Sequence, residues 1–586
     1  MKSRQAVHWF CPMRRVRSGL ASLILLGCGV VALAVDEPRK GPAFDGASHD
    51  SVRQLVETNS SPEVRTHLDI YPVVPGTVLE ERVAATVQGR RLPLQLRRVF
   101  HSDSTGERFM EAAVGWFAAD GPATVNLSVA QGDFGQPVPR TIGRDLEISR
   151  TGQVLTFELP GPGQYYVQMP HLARPKGTFT VLFWVDDLRK LEQTQAEFKT
   201  QPSLAVTTKG VRDHPTLDQT VAIQALLDGG GLLYFPPGIY RTGTLRVRSD
   251  TTVVLAPGAV LRGCDRENAV GAEFIAIEGA RHVTFRGPGI IDAASTSGRR
   301  RHNVHNINIT SSQGVTIEDV LFEQSNSWAV HVRRSDRVTL RNVRVLSGKD
   351  GFDPDSSRDV LIDGAFVISG DDAIAVKNRF PSESDGRTTE RVTFRNSIVS
   401  TTKSALKIGT ETRGPIRDVV FENCDVFDGE RGLVLYAQDG GPIERAVWRN
   451  IRLFMIDWPQ EKESGAVFHF VISRRGGATP VRDCKVEDVT ANWVYRSEFV
   501  GLPDAPLGGV TLRNIRIKVD PPKSGRPPLF VCGDNVRLPL EGLTLDWQGN
   551  EARWTGIVAG RGLILSDSTR PSQSQSRTKE EGKERK

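Results

Sequence analysis

Apolar and polar residues alternate with a period of two over much of residues 60–190. Val125–Val129 and Leu155–Leu159 are clear examples, and a Pro-Gly-Pro-Gly turn follows the second. Alternation of this kind, interrupted by glycine and proline, is typical of antiparallel strands with one buried face. We therefore expect residues 60–190 to form a small β-sandwich domain, either purely structural or acting as a wall beside a groove of the next domain.

A different pattern occupies residues 203–560. Short β-forming segments with similar sequences recur there at intervals of 22 to 39 residues. These segments begin at Val283, Val315, Val338, Val360, Val392, Val419, Val447, Val486 and Val510. Such intervals indicate a solenoid, and the absence of helix-forming stretches between the repeats favours a β-coil unit. We predict an all-β fold, a right-handed parallel β-helix of about three strands per coil, whose open start is covered by a helix at Pro215–Asp228.

The two ends of the chain differ from the rest. Five basic residues precede an apolar run that ends in Ala32-Leu33-Ala34, a pattern that predicts a signal peptide over residues 1–34. We therefore expect a secreted or periplasmic protein. An uncleaved anchor, or a lipoprotein site at Cys28, are the alternatives. Residues 567–586 are rich in Ser, Gln, Lys, Glu and Arg, and we predict a disordered tail.

Charge changes the picture only after these ends are considered. The chain of 586 residues has a formal net charge of +6 and a pI near 9.0. The predicted signal peptide carries five basic and no acidic residues, and the tail contributes another +2, so the part between them is near −1. The basic pI is therefore no argument for nucleic acid. We expect a monomer that binds no nucleic acid and, after signal cleavage, no membrane.

Four cysteines lie outside the predicted signal peptide, at Cys264, Cys424, Cys484 and Cys532. They are far apart and lack metal-type spacing. Export would permit disulfides, but we favour buried free thiols in β-helix turns. We predict no metal site and no cofactor.

Two adjacent coils carry an unusual density of acids. Asp350 precedes Asp371 and Asp372 by about one minimal coil, 21 residues to Asp371. Residues one coil apart lie on neighbouring strands, roughly 4.8 Å apart. Mutual repulsion in such a cluster raises at least one pKa, which suits a general acid. Aspartates in β-helix turns also form structural ladders, and that reading is open for Asp353, Asp355, Asp359 and Asp363.

The β-helix resembles glycoside hydrolase family 28, the polygalacturonases and their relatives, over roughly residues 203–550. The segments Leu233–Leu245 and Gly287–Asp292 resemble the family's first two coils, and its Gly-Asp-Asp motif is intact at Gly370–Asp372. Its Asn-Thr-Asp-Gly motif falls on Gly348–Gly351, where only the last two residues match. The resemblance implies an inverting glycosidase in which Asp371 is the general acid. Asp350 and Asp372 would then activate water.

Departures from the family bear on the substrate. The family's catalytic-site histidine falls on Ser404, and its carboxylate-binding Arg and Lys fall on Val434 and Tyr436. A site without a bidentate cation should not favour a uronate, so we expect a polysaccharide or oligosaccharide of pectin-related or other plant or algal origin, and not plain polygalacturonate. Candidate substrate-binding residues on nearby coils are Lys377, Lys407, Glu411, Tyr436, Asp439 and His331. Trp328 is open between sugar contact and core packing.

Two rival functions remain at this stage. A β-helix polysaccharide lyase would use clustered aspartates to bind calcium. A non-catalytic glycan-binding solenoid would need no acid at all, since a fold does not imply an activity.

Overall fold

The computed structural model describes residues 66–564, apart from several internal segments. These segments are 104–105, 131–134, 170–178, 265–272, 295–303, 380–386, 456–464, 493–495, 520–528, 548–549 and 560–562. The described residues belong to one compact unit. The predicted signal peptide, the predicted tail and the outermost ends of both predicted domains lie outside the described residues.

Twelve strands form the N-terminal part of the structure. They are β1 (Leu68–Ile70), β2 (Val83–Val87), β3 (Arg90–Leu92), β4 (Gln95–Asp103), β5 (Gly106–Ala119), β6 (Ala123–Val129), β7 (Val138–Thr141), β8 (Arg144–Asp145), β9 (Ile148–Thr151), β10 (Val154–Leu159), β11 (Gly163–Met169) and β12 (Phe179–Asp187). One sheet has the order β1-β5-β12-β11-β7-β8 with β4 paired to β5, and the other has the order β3-β2-β6-β10-β9. Apolar side chains from both sheets share one core, so this part is the β-sandwich that the alternation predicts.

Two α-helices connect the sandwich to the solenoid. Helix α1 (Leu188–Thr200) begins at Asp187, whose carboxylate accepts hydrogen bonds from the backbone amides of Arg189 and Lys190. Helix α2 (Thr220–Asp228) buries Ile223 and Leu227 in the solenoid core. It ends at a run of glycines, and it lies against the first coil, where the sequence predicts a covering helix.

The remaining strands form a β-helix with three rows, in which the pairing is parallel except for the last two strands at the C-terminal end, which pair antiparallel. A first row and a second row alternate along the chain in one 21-stranded sheet. Its strands are β13 (Gly231–Phe235), β14 (Gly238–Thr242), β16 (Thr251–Leu255), β17 (Ala259–Gly263), β19 (Arg281–Arg286), β20 (Ile290–Asp292), β22 (Gln313–Glu318), β23 (Leu321–Ser325), β25 (Asp336–Arg341), β26 (Arg344–Ser347), β28 (Arg358–Asp363), β29 (Phe366–Ser369), β31 (Thr389–Thr401), β33 (Ile416–Phe427), β35 (Ile443–Glu444), β36 (Val447–Phe454), β38 (Val481–Arg482), β39 (Cys484–Ala491), β41 (Val510–Val519), β43 (Arg537–Trp547) and β44 (Asn550–Ala559). In β31 and β33 the two rows merge into single long strands.

The third row is a separate 12-stranded sheet. Its strands are β15 (Leu245–Val247), β18 (Glu273–Glu278), β21 (His305–Thr310), β24 (Val330–Arg333), β27 (Phe352–Asp355), β30 (Ile374–Asn378), β32 (Ser404–Thr412), β34 (Arg431–Asp439), β37 (Ala466–Gly477), β40 (Arg496–Val500), β42 (Leu529–Cys532) and β45 (Leu563–Ile564). Inward-facing Val, Ile, Leu and Phe from all three rows form one continuous core. The predicted right-handed parallel β-helix is confirmed.

The sandwich packs on the outer face of the second row. Apolar residues there, such as Leu321 and Phe366, share a cluster with Trp116 and Trp184 of the sandwich. This packing explains why outward positions of the second row are apolar, where a solvated strand would be polar. The third row is the face that carries the acids.

The cysteine prediction is correct only in part, because Cys264 is half-buried, and Cys424, Cys484 and Cys532 lie in strands β33, β39 and β42 instead of turns. Cys264, Cys424, Cys484 and Cys532 are free thiols, and the last three are buried. Within the part of the chain that the structure describes, no helix has both the length and the apolar character needed to cross a membrane.

Candidate active site

The three acids predicted from the sequence lie in turns that lead from the second row into the third. Asp350 precedes β27, and Asp371 and Asp372 precede β30 one coil later. The two strands pair in parallel, and the Gly351 amide donates to the Asp372 carbonyl at 2.9 Å. One carboxylate oxygen of each acid lies within 4.8 Å of the other two. The structure therefore brings together the three side chains that the coil spacing predicts as neighbours.

Close stacking of these turns depends on Gly351. A Cβ atom at this position would lie 2.4 Å from the Ala373 carbonyl oxygen and 2.8 Å from the Val367 side chain. Both distances are shorter than van der Waals contact, so a larger residue would force the two turns apart. Glycine at this point of the motif is thus a packing requirement of the acid cluster.

Asp350 is buried and paired with a buried lysine. The Lys377 Nζ lies 2.9 Å from Asp350 Oδ2 and 2.5 Å from Asp353 Oδ1. Burial raises the pKa of Asp353 well above its ordinary value, and the neighbouring Asp350 raises it further, although Lys377 opposes both effects. Lys377 thus lies between the carboxyl groups of Asp350 and Asp353.

Asp372 is also buried and paired, but with a different lysine. The Lys407 Nζ lies 2.5 Å from Asp372 Oδ2, and the Ser404 amide donates to Oδ1 at 3.2 Å. Burial alone would raise the pKa of Asp372, but Lys407, Lys377 and the Ser404 hydrogen bond outweigh it and lower the pKa below its ordinary value. Asp372 is therefore ionised at neutral pH.

Asp371 is the acid of the cluster without a buried cation among the described residues. Its nearest charged partner is Lys349, whose Nζ lies 3.6 Å from Oδ2, and both side chains are over a third exposed (35% for Asp371 and 38% for Lys349). Burial of the carboxyl, together with repulsion from Asp350 and Asp372, raises the pKa of Asp371 to about 7. One member of the cluster thus keeps a proton near neutrality while its neighbour Asp372 is ionised.

An aromatic group covers the N-terminal side of the cluster. The Lys377 Nζ lies 4.1 Å and the Arg379 guanidinium 4.5 Å from the centroid of the Trp328 ring. His305 stacks on the same indole, with 5.5 Å between ring centroids. His331 lies at the edge of the indole, 4.8 Å between centroids. These contacts favour a packing role for Trp328 over sugar stacking.

His331 faces the same strand row as the acids but is enclosed. Its side chain is 3% exposed, with Nε2 3.6 Å from Asp355 Oδ2. Burial lowers the pKa of His331, so the ring is neutral near pH 7. Asp355 in turn accepts hydrogen bonds from the backbone amide and side chain of Arg379. The substrate-binding role predicted for His331 stays a prediction, and in this arrangement the ring contacts protein groups.

The other predicted binding residues lie on the C-terminal side of the cluster. Asp439 accepts two hydrogen bonds from Arg475 and one from the Thr412 amide, so its carboxylate braces the turn. Glu411 is half-buried near Lys377 and Arg475. Tyr436 is half-buried on β34. Lys377 and Lys407 contact the acids directly, and the substrate-binding roles predicted for them stay predictions.

Sequence reasoning missed two residues on this side of the cluster, His469 and Glu498. His469 on β37 makes an edge-on contact with Tyr436 at 5.5 Å, and its Nδ1 lies 3.6 Å from Glu498 Oε2 on β40. Period-two alternation in β37, with Phe468 and Phe470 in the core, would have placed His469 on the outer face. Asp353, part of the acid cluster, was missed because it also fits a structural turn.

Carboxylate oxygens of this kind are ligands that calcium prefers. The carboxylates of Asp350 and Asp372, however, already have cationic partners. Lys377 and Lys407 hold one oxygen each of Asp350 and Asp372 at 2.9 and 2.5 Å. A divalent cation bound to all three acids would lie close to two ammonium groups. The charge arrangement therefore does not fit the cation site that a lyase of the predicted kind would need.

A β-helix that holds one protonated and at least one ionised aspartate in contact has the donor and acceptor of a glycosidase. Residues 241–453 match the family described as Glycosyl hydrolases family 28. A protein described as "Probable polygalacturonase" from Vitis vinifera is 24% identical over 382 residues, which span 56% of this chain and 77% of that protein. Over residues 241–453 the β-helix is thus similar to glycoside hydrolase family 28 at low identity, and the protein is a glycosidase.

Two solved structures are similar in fold. The exopolygalacturonase of Thermotoga maritima is 18% identical, with a TM-score of 0.46 over 60% of this chain and 94% of that one. The polygalacturonase of Erwinia carotovora ssp. carotovora is 19% identical, with a TM-score of 0.46 over 56% of this chain and 95% of that one.

Proposed function

We propose that this protein is a secreted, inverting glycoside hydrolase in which Asp371 is the general acid and Asp350 and Asp372 form the general base. One observation carries the assignment of roles. Asp350 and Asp372 are each paired with a buried lysine, whereas Asp371 has only the exposed Lys349 and a pKa raised by burial to about 7. The environments separate the acid from the bases, as catalysis by two kinds of carboxyl requires.

The proton balance follows from these states. Asp371 donates its proton to the glycosidic oxygen as the bond from that oxygen to the anomeric carbon breaks. Water adds to the anomeric carbon from the other side, and its proton passes to Asp350 or Asp372. The reaction ends with Asp371 ionised and one base protonated, and exchange with solvent restores both.

The spacing of the acids makes the stereochemistry worth measuring. Carboxyl groups of inverting enzymes are usually ~6.5–9.5 Å apart and those of retaining enzymes ~5–5.5 Å, while the nearest oxygens here lie within 4.8 Å. We nevertheless propose inversion, because two lysine-paired carboxylates flank Asp371 and offer two acceptors to a single water, and because the family resemblance implies it. Proton NMR of the first-formed product decides this point, since inversion gives the opposite anomer.

The substrate that we propose is a pectin-related or other plant or algal polysaccharide, and not plain polygalacturonate. A polygalacturonase is among its relatives, which supports a pectin-related polymer. At the positions where the family has His, Arg and Lys, this chain has Ser404, Val434 and Tyr436. Ser404 and Val434 are buried and neither carries charge. We further propose export through residues 1–34, a sandwich domain over 60–190, a β-helix domain over 203–560, and action as a monomer.

The test is a screen of the purified mature protein with an Asp371→Asn control. Reducing ends should appear from at least one plant or algal polysaccharide, and Asp371→Asn should lower the rate at least about 100-fold, the contribution of a general acid. Equal cleavage by the variant would refute the role of Asp371. Ultraviolet-absorbing unsaturated products lost with a chelator would identify a lyase, and binding without cleavage of any glycan would identify a non-catalytic solenoid.

A further inference from the structure

We propose that strands β34, β37 and β40 build a subsite for an uncharged sugar residue beside the acid cluster. This inference rests on the proposed glycosidase function, and it names the chemical class of one residue of the substrate. It is carried by the outward-facing side chains of the third row and by the charge balance of that row.

Strand register defines the surface. Lys407 on β32 lies opposite Val434 on β34, which lies opposite His469 on β37 and then Glu498 on β40. Their chain neighbours, such as Leu433, point into the core, so this line of residues faces outward. It continues directly from the lysine that holds Asp372.

Tyr436 lies on the next outward position of β34. With strands spaced ~4.8 Å apart, it lies two strands, or roughly 10 Å, across the sheet from β30. Along β34 it lies five residues beyond Arg431, which is opposite Ser404, the residue whose amide contacts Asp372. Its ring is half-buried and held edge-on by His469 at 5.5 Å and 76°. A fixed aromatic ring with a hydroxyl suits a sugar, because the ring face covers the apolar C–H face and the polar atoms meet hydroxyl groups.

His469 and Glu498 supply the polar edge of this surface. The His469 Nδ1 lies 3.6 Å from Glu498 Oε2, and the two side chains are 10% and 19% exposed. A partly exposed carboxylate accepts hydrogen bonds from sugar hydroxyls, and the imidazole keeps it in place. The same carboxylate disfavours an anionic group at this position.

The cations of β30, β32, β34 and β37 already have carboxylate partners. Each lysine and arginine side chain of β30, β32, β34 and β37 forms an ion pair with a carboxylate. The pairs are Lys377 with Asp350 and Asp353, Lys407 with Asp372, Arg431 with Glu430, Arg474 with Asp504, and Arg475 with Asp439. Recognition of a sugar carboxylate uses an available cation, ideally bidentate, and a uronate here would have to displace an existing partner. An uncharged residue has no such cost.

The experiment measures binding without turnover, in the Asp371→Asn background. Calorimetry would compare oligosaccharides of galactan, arabinan and xylan with oligogalacturonate and with cationic chitosan oligosaccharides. We expect at least one neutral series to bind more tightly than both charged series. Tyr436→Ala should weaken that binding about tenfold, which corresponds to the stacking of one aromatic ring, whereas the matched Tyr436→Phe should remain within about threefold.

A third substitution tests charge directly. Tyr436→Lys places an additional cation on this surface and should shift the preference toward oligogalacturonate. Three results would overturn the subsite. The first is that the Asp371→Asn protein with Tyr436 intact binds oligogalacturonate or chitosan oligosaccharides more tightly than every neutral series. The others are that it binds no neutral series, or that Tyr436→Ala leaves the affinity for the neutral series unchanged.

These outcomes are separable from those of the proposed function. Neutral glycans bound through Tyr436 but never cleaved by the wild type would refute hydrolysis and keep the subsite. If Asp371→Asn abolishes cleavage but Tyr436→Ala changes neither the affinity for neutral oligosaccharides nor the cleavage rate, only the subsite is refuted.

Discussion

Lys407 is the residue whose removal should change the pH dependence most. It lowers the pKa of Asp372, opposing burial, and it also lowers the pKa of Asp371. In the mechanism that we propose, activity requires Asp372 ionised, which sets the acidic limb, and Asp371 protonated, which sets the alkaline limb near pH 7. In Lys407→Met both limbs should therefore move to higher pH, with kcat at pH 6 reduced about tenfold or more.

The matched control is Lys349→Met, because Lys349 acts on Asp371 and is exposed. Its loss should raise the alkaline limb and leave the acidic limb in place. The measurement is kcat against pH for the wild type and both variants, with circular dichroism to confirm folding. A uniform loss of activity in Lys407→Met with an unmoved profile would show that this lysine has only a structural role.

The sequence was sufficient to predict that the acids are neighbours, but not that Lys377 and Lys407 pair with them. Asp350 and Asp371 are separated by one minimal coil, and that period alone places them side by side. The position of Lys407 depends on which residue faces it. It lies opposite Ala375, whose small side chain lets the lysine extend across β30 to Asp372. Reach of this kind depends on side-chain conformations, which a coil period does not specify.

At the scale of elements, a ladder of side chains stabilises the turn between the first and second rows. Successive residues there have left-handed backbones, with φ of 51° at Asn396, 50° at Asn423 and 53° at Asn450. The Asn423 amide donates to Asn396 Oδ1 at 2.7 Å, and Asn450 donates to Asn423 at 3.2 Å. Asparagine is suited to both tasks, since it tolerates this backbone and hydrogen-bonds along the stack.

Asn423→Ala should therefore destabilise the protein by about 1–3 kcal/mol, because it combines an unfavourable left-handed alanine with the loss of three side-chain hydrogen bonds, those with Asn396, Asn450 and Arg452. Asn423→Gly loses the same hydrogen bonds but keeps the backbone freedom, so its cost should be smaller, about 1 kcal/mol. Denaturant unfolding monitored by fluorescence separates the two. Equal stabilities would show that the left-handed turn contributes nothing.

The ladder reading of the sequence was correct for some aspartates only. Asp363 accepts from Asn396 and belongs to the ladder, whereas Asp359 pairs with Arg391 at the surface. Asp353 and Asp355 face outward on the third row and pair with Lys377 and with Arg379 and His331. An aspartate in a turn and an aspartate in a strand of the third row look alike in sequence, because only the strand register says which row each one joins.

For the molecule as a whole, one contact between sandwich and β-helix is a buried ion pair. Arg344 of β26 is fully buried, and its Nη2 lies 2.6 Å from Asp186 Oδ1 of β12. The guanidinium lies 5.2 and 5.5 Å from the rings of Trp116 and Trp184. Alternation predicted the sandwich and the repeat interval predicted the β-helix, but neither pattern could predict how the two pack, because the partners are more than 150 residues apart.

Asp186 also accepts hydrogen bonds from Tyr71, Trp116 and Asn342, so removing Arg344 leaves a buried carboxylate with neutral donors only. Arg344→Met should lower stability by about 3–5 kcal/mol, the usual effect of breaking a buried pair from one side. Adding Asp186→Asn should recover part of this loss, because the uncompensated charge is then gone.

The acids lie beyond the other end of β26, so kcat of the folded variant at low temperature should stay close to wild type. Urea unfolding of the two single variants and the double variant measures the coupling. If the two losses simply add, the pair does not hold the sandwich to the β-helix.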